Sequence, residues 1–302
     1  MSIINKIMSR SIPALPKWFA KIFAGPYVAG ENIDLALEHV AFLNKKGYAA
    51  TIDILGEHTK DTCAAKSIAE AYCDLLKKID DMSLDCNLSI KPSHIGLDIS
   101  QETAIKNFKK IINIAQIYSN FIRLDMEDSS QTDNTLEIFK DCNSHYNKTG
   151  VVIQAYLKRS IKDLEKLADS SFNARICKGI YKENRNISYH DPEEIRDNFI
   201  RLAEIMISRD SYVCFATHDL ILIDKILSII KNKKTKKDKY EFQVLYGVPM
   251  GSKLKELIKQ DHKVRVYVPF GSEWYDYSIR RIKENPNIAS YVLKNLFKKN
   301  SY

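Results

Sequence analysis

The chain has 302 residues, 45% of them hydrophobic and 28% charged, with a formal net charge of +8. This is the profile of an ordinary soluble globular chain near the size limit of one core, and no run approaches the ~18 uninterrupted apolar residues of a membrane span. Ten glycines and eight prolines exclude collagen-like and linker-rich chains.

Residues 1–45 read as helices that precede the main body without a linker. Lys6 and Arg10 are not followed by a long apolar stretch and a small-residue cleavage site, so no secretory leader is expected. Residues 16–23 (PKWFAKIF) read as an amphipathic helix that packs on its own domain, with a membrane-touching helix as the alternative. From there eight short β-like runs recur: 50–55 (ATIDIL), 87–90 (NLSI), 121–126 (FIRLDM), 151–157 (VVIQAYL), 173–178 (NARICK), 212–217 (YVCFAT), 240–246 (YEFQVLY) and 263–268 (KVRVYV). A helical pattern follows each. Ser100, Ser160 with Asp163, Asp191 before Pro192, and Ser272 mark helix starts.

Eight such βα units predict a closed (β/α)8 barrel of the TIM type with extra N-terminal helices. The expected division is an N-terminal helical segment over 1–45 packed on a barrel over 46–302, one domain overall. A doubly wound sheet that binds a dinucleotide needs G-x-G-x-x-G after a strand, and the glycines offer neither that motif nor a Walker A loop.

The positive charge is local. The run 231–239 holds six Lys and one Asp, and the tail 294–302 holds three Lys, so the rest of the chain is neutral overall. A nucleic-acid binder spreads basic residues along a groove among aromatics, so a solvated surface is expected here and no nucleic-acid partner. The six cysteines show no C-x-x-C or zinc-ligand spacing. Cys63, Cys73, Cys177 and Cys214 sit in apolar patterns, which predicts buried free thiols and no metal site.

In such a barrel, chemistry sits at the C-terminal ends of the strands. The polar residues there are Glu57; Lys91, Ser93 and His94; Asp125 and Glu127; Gln154 and Tyr156; Arg175, Lys178 and Tyr181; Thr217, His218 and Asp219; Gln243; and Tyr267. Arg175, Gln154 and Gln243 lie among apolar strand neighbours, which plain loop entrances do not explain. After the eighth strand, Tyr277, Arg280, Arg281 and Glu284 fall on or beside one helix face, where paired guanidiniums can hold a small carboxylate. Lys91 favours that reading over an exposed salt-bridge ladder.

The stretch 266–271 (VYVPFG) followed by WYDYSIRRIKEN resembles the C-terminal signature of the proline dehydrogenases. The resemblance extends over most of the chain through TIDILGE (51–57), KPSHIGL (91–97), RLDMED (123–128), VVIQAYLKR (151–159), RICKGIY (175–181), FATHD (215–219) and EFQVLYGVP (241–249). It implies a monofunctional flavoenzyme whose barrel holds FAD without a Rossmann loop and oxidises L-proline to 1-pyrroline-5-carboxylate by hydride transfer to flavin N5, the first step of proline catabolism. It further implies that Lys91, Arg280 and Arg281 bind the proline carboxylate, that Tyr277 packs on the substrate ring, and that Asp125 and Tyr267 form a hydrogen-bonded pair. Glu57 would pair with Arg280 as a gate. Gln154 and Arg175 would contact the isoalloxazine, and Lys178, Tyr181, Thr217, His218 and Gln243 would line the rest of the FAD site. A membrane quinone is the implied electron acceptor, with hand-over of the imine to a separate 1-pyrroline-5-carboxylate dehydrogenase. The place of action would be the cytoplasm or the inner face of a membrane. A second, aldehyde dehydrogenase domain is not expected in a chain of this length.

Two departures bear on the pocket: Ile180 stands where the family more often has Ala, and Lys182 where some relatives have an aromatic residue. The residues alone leave two rivals. One is a Schiff-base aldolase or lyase that uses Lys91 or Lys178 at a strand end. The other is a non-catalytic basic protein that binds through the 231–239 loop.

Overall fold

Polar and apolar residues alternate within the β-like runs, so each strand carries an apolar face and a polar one. In the computed structural model, which describes residues 27–275, 277 and 278, this alternation is resolved by closure. Eight parallel strands form one barrel in sequence order: β1 (Ala49–Ile54), β2 (Cys86–Ile90), β3 (Ile122–Leu124), β4 (Thr149–Gln154), β5 (Asn173–Cys177), β6 (Tyr212–Ala216), β7 (Tyr240–Leu245) and β8 (Val264–Phe270). The ring closes where β1 pairs with β8, with Ala49 opposite Arg265 and Ile54 opposite Phe270.

The apolar faces look outward. Ile52, Leu88, Leu124, Ile153, Ile176, Phe215, Val244 and Val266 are buried in one continuous core beneath the helices. Those helices are α1 (Ile33–Lys45), α2 (Thr62–Asp81), α3 (Gln101–Ile117), α4 (Thr132–His145), α5 (Ser160–Leu167), α6 (Pro192–Ser208), α7 (Leu220–Asn232) and α8 (Lys253–Lys259). In α2 the buried residues Ala65, Ala69, Tyr72, Leu76 and Ile79 recur at three- and four-residue intervals, which lays one stripe on the barrel wall. α1 lies against β1 and β8, over the seam. Of the expected N-terminal helical segment, residues 1–26, including 16–23, lie outside the described residues.

Caps explain several boundaries. Ser100 accepts from Thr103 N, and Asp191 accepts from Glu193 N and Glu194 N with Pro192 in the first turn. Ser160 is different: it is the first helical residue, and its hydroxyl donates to the Gln154 carbonyl at 2.6 Å. β4 accordingly stops at Gln154, three residues short of the expected end, and Leu157 instead bridges to Ser188.

Two further expectations need correction. Cys63 is exposed and Cys73 and Cys177 are half-buried, so of the four cysteines expected inside only Cys214 is buried. Cys63 lies on the face of α2 opposite the Ala65–Ala69–Tyr72 stripe. The 231–239 segment is not all loop: α7 runs through Lys231, and Lys237–Lys239 forms a 3-10 turn. Lys239 pairs with Asp210 at 2.7 Å, at the end of the barrel away from the strand C-termini. Among the described residues no helix is long and apolar enough to cross a membrane.

Candidate active site

The polar faces of the strands point into the barrel, and there they meet. Arg175 of β5 donates through Nε to Gln243 Oε1 of β7 at 2.5 Å, and through Nη1 to Asp125 Oδ1 at 2.6 Å and Ser89 Oγ of β2 at 3.0 Å. Ser89 Oγ donates to the same carboxylate oxygen at 2.6 Å, and the Tyr267 hydroxyl of β8 donates to Asp125 Oδ2 at 3.0 Å. The Arg175 guanidinium also stacks 5.2 Å from the Tyr267 ring centre. Partners on β2, β7 and β8 and at the end of β3 converge on one buried arginine, and only the barrel interior allows that.

Above this layer opens a cavity of about 680 Å³ at the C-terminal ends of the strands. It is lined by every expected site residue that is described: Glu57, Lys91, Asp125, Gln154, Arg175, Lys178, Tyr181, Thr217, His218, Gln243, Tyr267 and Tyr277. Arg280, Arg281, Glu284 and Asn285 lie outside the described residues. Ile180 and Lys182, the two departures, also face this cavity.

Several of these side chains are fixed by groups to which the sequence assigned no role in the site. Lys91 Nζ lies 2.5 Å from Asp53 Oδ2, a carboxylate of β1 that is 0% exposed. Burial pushes the Asp53 carboxyl up to about 6 despite that cation. Burial pulls Lys91 the other way, but Asp53, then Asp125 and Glu57, outweigh it and raise the ammonium above its usual range. Lys178 donates to Asp219 Oδ2 at 2.6 Å, an oxygen it shares with Arg196 Nε. Asp219 also caps α7, and these hydrogen bonds overcome its burial to hold it at about 2. Gln154 donates to the Glu127 carbonyl at 2.7 Å, while the Glu127 carboxylate grips Ser93 through N (2.8 Å) and Oγ (2.5 Å). His218 Nε2 accepts from Leu245 N at 2.9 Å, which selects the Nδ1–H tautomer when the ring is neutral. The signal for Asp53 and Ser89 was present in the sequence as polar residues two apart within apolar strands.

Among the cavity-lining side chains one buried atom is left over. Arg175 Nη2 is buried and finds no partner among the described residues, although every neighbouring donor on that guanidinium is engaged. A buried donor left unmade is costly, and here it belongs to a cavity-lining residue. A cavity of this volume lies in the ~300–1,000 Å³ range of small-molecule and cofactor sites. A planar, acceptor-rich group such as the isoalloxazine of FAD fits both the vacant donor and the mixed lining. Among the described residues no cluster of His, Cys, Asp and Glu could hold a metal ion.

Comparison with known proteins bears on the same residues. The family model for proline dehydrogenase matches residues 36–294. Proline dehydrogenase 1 of Bacillus subtilis subsp. natto is 37% identical over 295 residues, 98% of this chain and 96% of that protein. Proline dehydrogenase of Deinococcus radiodurans is 34% identical over 277 residues, covering 90% of this chain and 89% of its own length. Among solved structures, proline utilization A from Bdellovibrio bacteriovorus superposes with a TM-score of 0.81 at 22% identity, over 92% of this chain. The chain spans only 34% of that longer protein, and the likeness is one of fold.

Proposed function

The chain belongs to the proline dehydrogenase family, and from that premise we propose that it oxidises L-proline to 1-pyrroline-5-carboxylate with FAD as electron acceptor. The observation that carries this reading is the buried Arg175, held on three sides inside the barrel with Nη2 left for a group in the cavity. Bound FAD would supply the two-electron acceptor, and Gln154, Arg175, Lys178, Tyr181, Thr217, His218 and Gln243 would hold it.

The chain's own residues then have distinct tasks. Lys91, with Arg280 and Arg281, takes the proline carboxylate through charge-assisted hydrogen bonds. Tyr277 packs against the ring. Tyr267 stays a protonated donor, because burial and the Asp125 and Asp53 charges raise its phenol far above the usual value. The reacting amine must be neutral, and the fixed cations Lys91 and Arg175 favour loss of its proton. Arg175 presents positive charge where electron density arrives, in a site that needs no reorganisation to do so. Glu57 acts as a gate with Arg280, and Ile180 and Lys182 shape the pocket. Segment 1–45 and the barrel work as one domain, a membrane quinone is the terminal acceptor, and a separate 1-pyrroline-5-carboxylate dehydrogenase takes the imine. The place of action is the cytoplasm or the inner face of a membrane.

A Schiff-base mechanism is disfavoured by the same geometry. A nucleophilic lysine needs a depressed pKa, whereas Lys91 is raised by its pair with Asp53, and Lys178 is tied to Asp219. The test is purification followed by an absorbance spectrum and a dye-reduction assay with L-proline. A yellow protein that reduces dye and yields an aminobenzaldehyde-reactive imine, with no direct use of NAD, is expected. A colourless protein that gains no activity from added FAD overturns the proposal.

A further inference from the structure

The site holds a carboxylate for which the reaction above has no task. Asp53 is fully buried on β1 and does not itself line the cavity. It reaches the cavity through Lys91, whose Nζ is 2.5 Å from Oδ2 while its side chain forms part of the inner wall, and it lies beside Tyr267. On the other side Oδ1 lies 3.4 Å from the hydroxyl of Tyr72, which α2 buries against the barrel. A buried ion pair of this kind is a poor device for stability, since packed apolar residues serve as well. Its placement under one wall of the cavity calls for another reason.

We propose that Asp53 is a positioning residue that acts through Lys91, fixing the ammonium in place and keeping it charged for the substrate carboxylate. This rests on the reading of Lys91 as a carboxylate contact. The charged and titratable groups that face Lys91 are Asp53 of β1, Glu57 of the loop after β1, His94 of its own turn, and Asp125 and Glu127 after β3. Tyr267 of β8 stands between Asp53 and Asp125, and Arg175 of β5 already occupies Asp125. Asp53 is therefore the carboxylate in direct contact with Nζ among the described residues. Without it, burial would be opposed only by Asp125 and Glu57, neither in ion-pair contact with Nζ, and would draw Lys91 toward its neutral form, and a neutral amine attracts no carboxylate.

The test uses cyclopentanecarboxylate, which offers the ring and the carboxylate but no amine to titrate. Its dissociation constant is measured calorimetrically on the FAD-loaded protein from about pH 8 to about pH 10, with competition by L-proline as control. The native protein should change less than about twofold over this range. Asp53→Asn should lose roughly tenfold, because a lysine whose pKa falls into the window loses its charge there. Lys91→Arg combined with Asp53→Asn should restore a flat profile, since a guanidinium keeps its charge unaided. In a Lys91→Met background, Asp53→Asn should change nothing further. If Asp53→Asn does not fold, Asp53→Glu carries the test. It keeps the charge and moves Nζ, so affinity should drop without any new pH dependence.

An Asp53→Asn profile that parallels the native one overturns the inference, as does an equal loss in the Lys91→Met background. Native affinity in Asp53→Glu would do the same. Native affinity in Lys91→Met would show instead that the carboxylate binds elsewhere, and the premise would fall together with the inference.

Discussion

The barrel interior contains two layers of buried charge, and they are finished differently. At the base, Arg265 Nε donates to Glu241 Oε1 at 2.8 Å and its Nη1 to the Ala50 carbonyl at 2.5 Å. Arg123 spends its guanidinium on Asn173 and on the carbonyls of Val151 and Asn173. Neither residue leaves a buried nitrogen without a partner. At the mouth, Arg175 is as deeply buried and as well anchored, yet Nη2 is left over. Gln243 joins the layers, accepting from Arg175 and donating to Glu241 Oε1 at 2.5 Å. Residue type and burial are therefore the same in both layers. What separates the two layers is whether the protein alone completes the hydrogen bonds of its arginines.

The sharpest way to break this comparison is to cut one arginine from each layer. Arg265→Met strands the buried Glu241, so unfolding by denaturant should show a loss of about 3–5 kcal/mol. FAD content of the folded fraction should stay normal. Arg175→Lys keeps a charge for Asp125 but loses the fork. Its stability should hold while flavin reduction by proline slows on the order of 10²-fold, the usual effect of removing one preorganised donor. If the two variants fail in the same way, the distinction between the layers is wrong.

Two glycines extend the contrast at smaller cost. A Cβ at Gly150 would lie 2.5 Å from Arg123 Nη1 and 2.7 Å from the Asn173 carbonyl, so Gly150→Ala should lose about 1–3 kcal/mol of stability through overpacking at the base. A Cβ at Gly179, which lines the cavity and has φ of +100°, would fall 2.0 Å from the Tyr156 ring. Gly179→Ala should show mainly as released FAD, measured by the flavin-to-protein absorbance ratio.

The layers should also titrate with opposite sign. Burial favours a raised Glu241 carboxyl, but Arg265 overrides it and holds the group at about 2, below the ordinary 4.5. Its stabilisation is complete above the ordinary value and is lost as pH falls toward 2. Asp53 is raised to about 6 from 3.8, so the folded state gains stability as pH falls between those values. Urea unfolding against pH should therefore lose its rise between about pH 6 and about pH 4 in Asp53→Asn, and Arg265→Met should blunt the acid limb below that. The smallest effect belongs to the rim. Glu57→Ala should change stability by only about 0–1 kcal/mol, as for an exposed pair, yet slow flavin reduction at saturating proline in stopped flow.

Much of this was legible in the chain. The eight strands and their order followed from β-like runs each trailed by a helical pattern, and most of the strand-end residues from Glu57 to Tyr277 line one cavity, while Ser93, His94, Glu127 and Tyr156 do not. Asp53, Ser89 and Glu241 were visible only as polar positions inside apolar strands. Their partners lie on other strands, and closure of β1 on β8 decides who meets whom. Ser160 does open its helix as read, but its hydroxyl serves the Gln154 carbonyl instead of capping the helix N-terminus. Cys63 was misread because an apolar neighbourhood in sequence says nothing about the helix face.

The central claim is that the cavity above Arg175 holds FAD and proline together. Anaerobic titration of the purified protein with L-proline tests it most directly. The account predicts complete loss of the oxidised-flavin band in native protein, and the same band persisting far longer in Arg175→Lys at equal FAD content. A native protein that retains FAD and shows no bleaching with L-proline would contradict it.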